Sequence, residues 1–143
     1  MRFSPSYRLV SYWIIFALLG SGLAWITADQ FKATGGAGAD SEFWQRVVAT
    51  SLTVHGGSAM AALLLLGALG EAHMRRGWRA RRNRATGVIM LIVNGSLIVS
   101  ACALYYNGSE TLRPWISLAH IAVGLALPLL IIVHIWIGRR ARS

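Results

Sequence analysis

The sequence predicts an all-α membrane protein, a bundle of four transmembrane helices. Of its 143 residues, 55% are hydrophobic and only 13% are charged, whereas a soluble domain carries about 25% charged residues. The apolar residues also form four long runs, each of about the 20 residues that a helix needs to cross the hydrocarbon core of a bilayer. The length favours a single domain over residues 1–143.

The four predicted helices cover approximately residues 9–28, 47–69, 87–106 and 114–138. A cleaved signal peptide is the alternative for the first segment, but its apolar run is long for such a peptide. Pro128 lies inside the fourth segment, where a proline is expected to bend a helix. Tryptophans lie toward the segment ends, as expected of indole rings at a membrane–water interface: Trp13, Trp25, Trp44, Trp115 and Trp136.

The distribution of positive charge predicts the orientation. The net charge is +9, and six arginines fall between residues 75 and 84, in the loop that joins the second and third segments. Both termini are also basic, while the other two loops carry few positive charges. The positive-inside rule therefore places both termini in the cytoplasm, N-in and C-in. Short arginine clusters between apolar runs are typical of topology signals, so we expect no nucleic-acid partner.

The single cysteine, Cys102, lies inside an apolar run. It allows no internal disulfide, and the chain has no C-x-x-C-H motif that would attach a c-type haem covalently. We therefore interpret Cys102 as a small packing residue.

All four histidines lie on the second and fourth predicted helices, which run in the same direction. His55 and His120 are expected near the outer side, and His73 and His134 near the inner side. At ~100° and ~1.5 Å per residue, the two histidines of each helix share a face within about 40° and lie roughly 27 Å and 21 Å apart. Ionisable groups inside a membrane usually serve a function. The sequence thus predicts two histidine pairs at two depths.

Two neutral imidazoles at each depth favour haem over zinc. Zinc prefers four ligands, or three and a water, and often uses cysteine or carboxylate; Glu71 is the only acid near a pair. Haem iron needs only two axial ligands from the protein, and a porphyrin suits a helix bundle. We predict two bis-histidine haems b, one on His55 and His120 and one on His73 and His134.

Small and basic residues near the histidines support this prediction. Gly124 follows His120 by four residues, where a porphyrin edge would lie against the helix, although small residues also serve helix packing. Arg113 lies near the outer pair and could bind an anionic haem propionate. Near the inner pair, Gly77 and Gly138 likewise follow His73 and His134 by four residues. The arginines close to that pair are Arg75, Arg76, Arg139 and Arg140.

The C-terminal stretch "LYYNGSETLRPWISLAHIAVGLALPLLIIVHIWIGRR" and the pairing of histidines on parallel helices resemble small bacterial membrane cytochromes of the cytochrome b561-like family. The H-x13-H spacing on the fourth helix is similar to that of respiratory cytochromes b. The second helix has H-x17-H instead, and the first carries no histidine. The resemblance implies a bacterial inner-membrane protein with bound haem b. We do not assign a quinone site to this chain from the resemblance.

These observations together predict electron transfer across the membrane, between a quinol or redox protein on one side and a redox protein on the other. No catalytic residue is expected, since bis-histidine iron has no vacant position. The chain would serve an oxidoreductase system, and a role as one subunit of a larger complex is compatible with this. Two alternatives stay open. One is a haem-free membrane anchor or assembly subunit. The other is a transporter that uses its histidines for metal ions or protons, although it lacks the intramembrane carboxylates expected there.

Overall fold

The computed structural model describes residues 5–34, 41–70, 74–80 and 84–140, and this part of the chain is helical apart from short turns. It has five helices: α1 (Pro5–Thr34), α2 (Ser41–Leu69), α3 (Arg75–Arg79), α4 (Arg84–Tyr106) and α5 (Arg113–Arg140). The all-α prediction is confirmed.

Four of these helices are long and apolar enough to cross a membrane, which supports a multi-pass membrane protein. The candidate spans lie in the four long helices and leave out the short α3: Ser6–Lys32, Glu42–Ala68, Arg84–Tyr106 and Arg113–Arg140. They correspond in order to the four predicted segments.

The four long helices expose many large apolar side chains. Large apolar side chains face outward, as in Phe16, Leu64 and Val99, whose exposed fractions are 69%, 77% and 68%. The most buried polar side chains are the small serines Ser21 and Ser51. Because a soluble protein rarely exposes large contiguous apolar patches, these outer surfaces suit a hydrocarbon surrounding.

The helices extend beyond the predicted limits because polar flanking residues continue the helical conformation. α2 begins at Ser41 rather than near residue 47, and its first turns contain an ion pair between Glu42 and Arg46, with 2.6 Å between Oε1 and Nη2. α1 continues to Thr34, with Lys32 in its last turn, where a cation interacts favourably with the helix dipole. Apolar composition predicts where hydrocarbon contact ends, not where the helix ends.

The chain divides into two compact units, Met1–Leu69 and Gly70–Ser143. In the first, α1 and α2 pack as an antiparallel hairpin, with the rings of Phe31 and Trp44 stacked 4.9 Å apart near its closed end. In the second, α4 and α5 form another antiparallel hairpin. The grouping of all four long helices into one bundle stays a prediction.

The second unit also contains the short helix α3, in the arginine-rich segment where no helix is predicted. α5, by contrast, continues through Pro128 without interruption. The turn between α4 and α5 is closed by hydrogen bonds from the backbone amide of Asn107 to the carbonyl of Ala103, and from the amide of Ser109 to the side chain of Asn107.

Candidate functional site

His120, on α5, is held by a hydroxyl of α4. Its Nδ1 lies 2.7 Å from Oγ of Ser100, and both side chains are half-buried. The hydroxyl of Ser100 also lies 3.1 Å from the carbonyl oxygen of Leu97. A hydroxyl that donates to this carbonyl accepts from Nδ1–H of the imidazole, and a neutral His120 then carries its lone pair on Nε2.

His134, fourteen residues after His120 on α5, also contacts a hydroxyl of α4. Its Nδ1 lies 3.0 Å from Oγ1 of Thr86 on α4. Thr86 and Ser100 are fourteen residues apart, as are His120 and His134. Fourteen residues correspond to ~21 Å and to a rotation only about 40° short of whole turns. Because α4 and α5 are antiparallel, the equal spacings bring both histidines opposite hydroxyls.

His55, on α2, is held by the backbone and a serine of α1. Its Nδ1 lies 3.0 Å from the carbonyl oxygen of Leu18 and 3.3 Å from Oγ of Ser21. A carbonyl only accepts, so Nδ1 is the donor. Ser21 in turn donates to the carbonyl of Ala17 at 2.6 Å. The ring orientation of His55 is therefore set by a helix that carries no histidine of its own.

Gly22 allows the close approach of His55 to α1. A Cβ atom added at Gly22 would lie 3.3 Å from Cε1 and 3.4 Å from Nδ1 of the His55 ring. Contacts of this kind are tighter than those normally seen for a Cβ, so the imidazole lies directly against the α1 backbone. At Gly20, two residues earlier, an added Cβ would meet nothing within 4 Å.

Ser21, Gly22, Thr86 and Ser100 are not among the site residues predicted from the sequence. For the two residues of α4 a signal exists, because the spacing T-x13-S matches H-x13-H on the partner helix. For Ser21 and Gly22 no comparable repeat exists, since the described part of α2 contains one histidine. Their role follows only from the register of α1 against α2.

The predicted histidine pairs are described only in part. His73 lies outside the described residues. His55 lies at the middle of α2, fourteen residues from Ser41 and fourteen from Leu69, whereas His120 lies seven residues after the start of α5 and His134 six residues before its end. Equal depth of His55 and His120, and the two ligand pairs, stay predictions.

The other predicted site residues lie on α5. Arg113 is the first residue of that helix and is exposed. A Cβ added at Gly124 would meet Cδ2 of Leu97 at 3.9 Å, an ordinary van der Waals contact, so this position faces α4. Room for a porphyrin at Gly124 stays a prediction. Cys102 is a free, exposed thiol on α4.

Chemically, the three described histidines resemble oriented metal ligands. A metal-binding histidine usually donates its second ring N–H to a neighbouring acceptor, which fixes the tautomer and orientation and makes the ligating nitrogen more basic. The same hydrogen bonds also join membrane helices. Among the described residues, no group of three or more histidine, cysteine, aspartate or glutamate side chains lies close enough to hold a metal ion.

Comparisons with protein-family models, curated proteins and solved structures return no match to this chain.

Proposed function

We propose that this protein is a b-type di-haem cytochrome that relays electrons across a bacterial inner membrane. The observation that supports this most strongly is the shared orientation of His55, His120 and His134. Each ring engages Nδ1 with an oxygen of the neighbouring helix. The assignment of the chain to a cytochrome b561-like family is part of the same proposal.

The residues suit a haem because the donor set is neutral imidazole, without cysteine or carboxylate. His55 and His120 would hold one haem, and His73 and His134 the other. When bound, such a haem supplies reversible one-electron transfer at an iron whose axial positions are both filled. The roles of Ser100, Thr86 and Ser21 are to fix the imidazole rings, while the apolar helices keep water away from them.

The orientation and partners belong to the same proposal. The six arginines between residues 75 and 84 favour a cytoplasmic location for that loop and for both termini. Arg113 would then lie on the outer side, where it can pair with a propionate. A quinol or redox protein would bind on one side of the membrane and a second redox protein on the other.

A topology reporter fused after Ser143 should be active in the cytoplasm. Periplasmic activity of this fusion would contradict the proposed orientation.

Transmembrane electron transfer is the direct test of this function. The full chain, loaded with haem, is reconstituted in liposomes that contain ferricyanide, and dithionite is added outside. We expect the ferricyanide absorbance to fall much faster than in protein-free liposomes. His120→Ala, reconstituted at the same density, should abolish the acceleration because one of the two haems is missing.

The rival functions give different results. A haem-free anchor would show no acceleration and no haem absorbance after purification with added haem. A histidine-based transporter would carry metal ions or protons in the same liposomes without reducing ferricyanide. Either outcome would contradict the proposal.

A further inference from the structure

We infer that α3 and the residues around it form a binding surface for an anionic phospholipid. This surface comprises Met74, Arg75, Trp78, Arg79 and Arg84, and is called the α3 surface below. It lies in the C-terminal unit, directly after the proposed haem ligand His73, and it includes Arg75, which is also predicted to lie near the inner haem.

The α3 surface has two apolar side chains next to two cationic ones. Met74 and Trp78 are four residues apart, as are Arg75 and Arg79, and residues at this spacing lie one above the other on a helix. These four side chains line a hollow of about 300 Å³. Met74 and Trp78 are exposed by 42% and 54%, respectively. The hollow therefore offers apolar contact beside positive charge.

Arg84 fixes the tryptophan at the centre of the α3 surface. Its Nη2 donates to the carbonyl oxygen of Trp78 at 2.7 Å, and its guanidinium carbon lies 5.3 Å from the centroid of the indole ring. Cation–π contacts of this kind are attractive. The first residue of α4 thus holds α3 in place and adds a third arginine to the surface.

The position of α3 in the chain places it at a membrane surface. One candidate span ends at Ala68 and the next begins at Arg84, so α3 is within seven residues of both, and with both spans inserted it would lie near the headgroups. Tryptophan favours that region, and clusters of arginine next to a transmembrane helix attract anionic lipids. In the connection from residue 70 to residue 84 the only acidic residue is Glu71, against six arginines.

The combination of groups favours a phospholipid over a free phosphate. A free phosphate would use the arginines but would gain nothing from Met74 and Trp78. A phospholipid places its phosphate and its first acyl carbons side by side, which matches Arg75 and Arg79 beside the two apolar side chains.

Native mass spectrometry of the full chain in detergent tests this inference. Phosphatidylglycerol and phosphatidylcholine with the same acyl chains are titrated separately. We expect phosphatidylglycerol to bind more tightly. The double substitution Arg75→Gln/Arg79→Gln should weaken its binding by about 25-fold, because each arginine near an anionic lipid contributes about fivefold in affinity. Binding of phosphatidylcholine should not change.

A matched control removes the same charge elsewhere. Lys32→Gln/Arg46→Gln lowers the net charge by two in the N-terminal unit and should leave phosphatidylglycerol affinity unchanged within about twofold. Trp78→Ala should weaken the binding of both lipids, since it removes an apolar contact. Inorganic phosphate added in excess should not displace the lipid.

Three results would overturn the inference. Equal affinity for the two lipids would remove the role of charge. An equal loss in the control variant would indicate general electrostatic attraction rather than the α3 surface. Displacement of the lipid by inorganic phosphate alone would indicate a phosphate site instead.

Discussion

The two hairpins of this protein hold their histidines by different means. In the N-terminal hairpin, α1 and α2 approach closely through small side chains, and Ser21, Ala28 and Ser51 are buried there. In the C-terminal hairpin, α4 and α5 contain no buried residue over the described ranges 84–106 and 113–140. Close approach through small residues is a general means of packing membrane helices, and only the first hairpin uses it extensively.

The two hairpins therefore orient their imidazole rings through different atoms. His55 lies against Gly22 and donates to a backbone carbonyl, that of Leu18. His120 and His134 contact side-chain hydroxyls, those of Ser100 and Thr86. A hydroxyl can be removed by substitution, whereas a carbonyl cannot. The orientation of His55 should therefore resist loss of its serine, and that of His120 should be sensitive to it.

Removal of the histidines themselves should have the largest effect. His120→Ala and His55→Ala should each remove the same haem, and His134→Ala and His73→Ala the other. Each single variant should retain about one haem per chain, because the remaining imidazole cannot replace its partner. Pyridine haemochrome assays on the four purified variants would measure this. Retention of two haems in His73→Ala would show that the inner pair is assigned incorrectly.

A bulky side chain at Gly22 should have the next largest effect. Gly22→Leu places atoms where the His55 ring now lies, and overpacking of this kind typically costs about 1–3 kcal/mol. We expect the haem on His55 to be lost or its spectrum shifted, while the other haem stays. Gly20→Leu is the matched control on the same helix, since an added Cβ there meets nothing within 4 Å. Equal effects of the two substitutions would remove the special role of Gly22.

The serines should give the smallest effect and the sharpest comparison. Ser100→Ala removes the hydroxyl that Nδ1 of His120 contacts, and loss of such an outer hydrogen bond typically costs about 10–100-fold in metal affinity. Ser21→Ala should cost less, because the carbonyl of Leu18 still accepts from His55. Haem affinity and midpoint potential of the two variants would be measured side by side.

Ser96→Ala is the control for this comparison, because Ser96 is exposed and its hydroxyl contacts only the carbonyl of Val93 among the described hydrogen bonds. A larger loss of haem affinity in Ser21→Ala than in Ser100→Ala would contradict the proposed difference between the hairpins.

The number and order of the long helices follow from the sequence because each is a long apolar run. Their ends do not, since residues such as Glu42 and Arg46 continue α2 through local pairing that hydropathy does not register. The histidines can be identified from the sequence as candidate site residues, because ionisable groups are rare in membrane helices. Their acceptors are harder to predict, because the contact between His55 and Ser21 depends on the register of two helices against each other.

The haem-to-chain ratio of the purified full-length protein tests the central claim most directly. The protein is produced with sufficient haem supply, extracted in detergent and assayed as the pyridine haemochrome against protein determined by amino-acid analysis. We predict two b-type haems per chain, with a low-spin spectrum in both oxidation states. A ratio near zero, or a haem content that does not change when His120 and His134 are both replaced by alanine, would contradict the claim that these histidines bind haem.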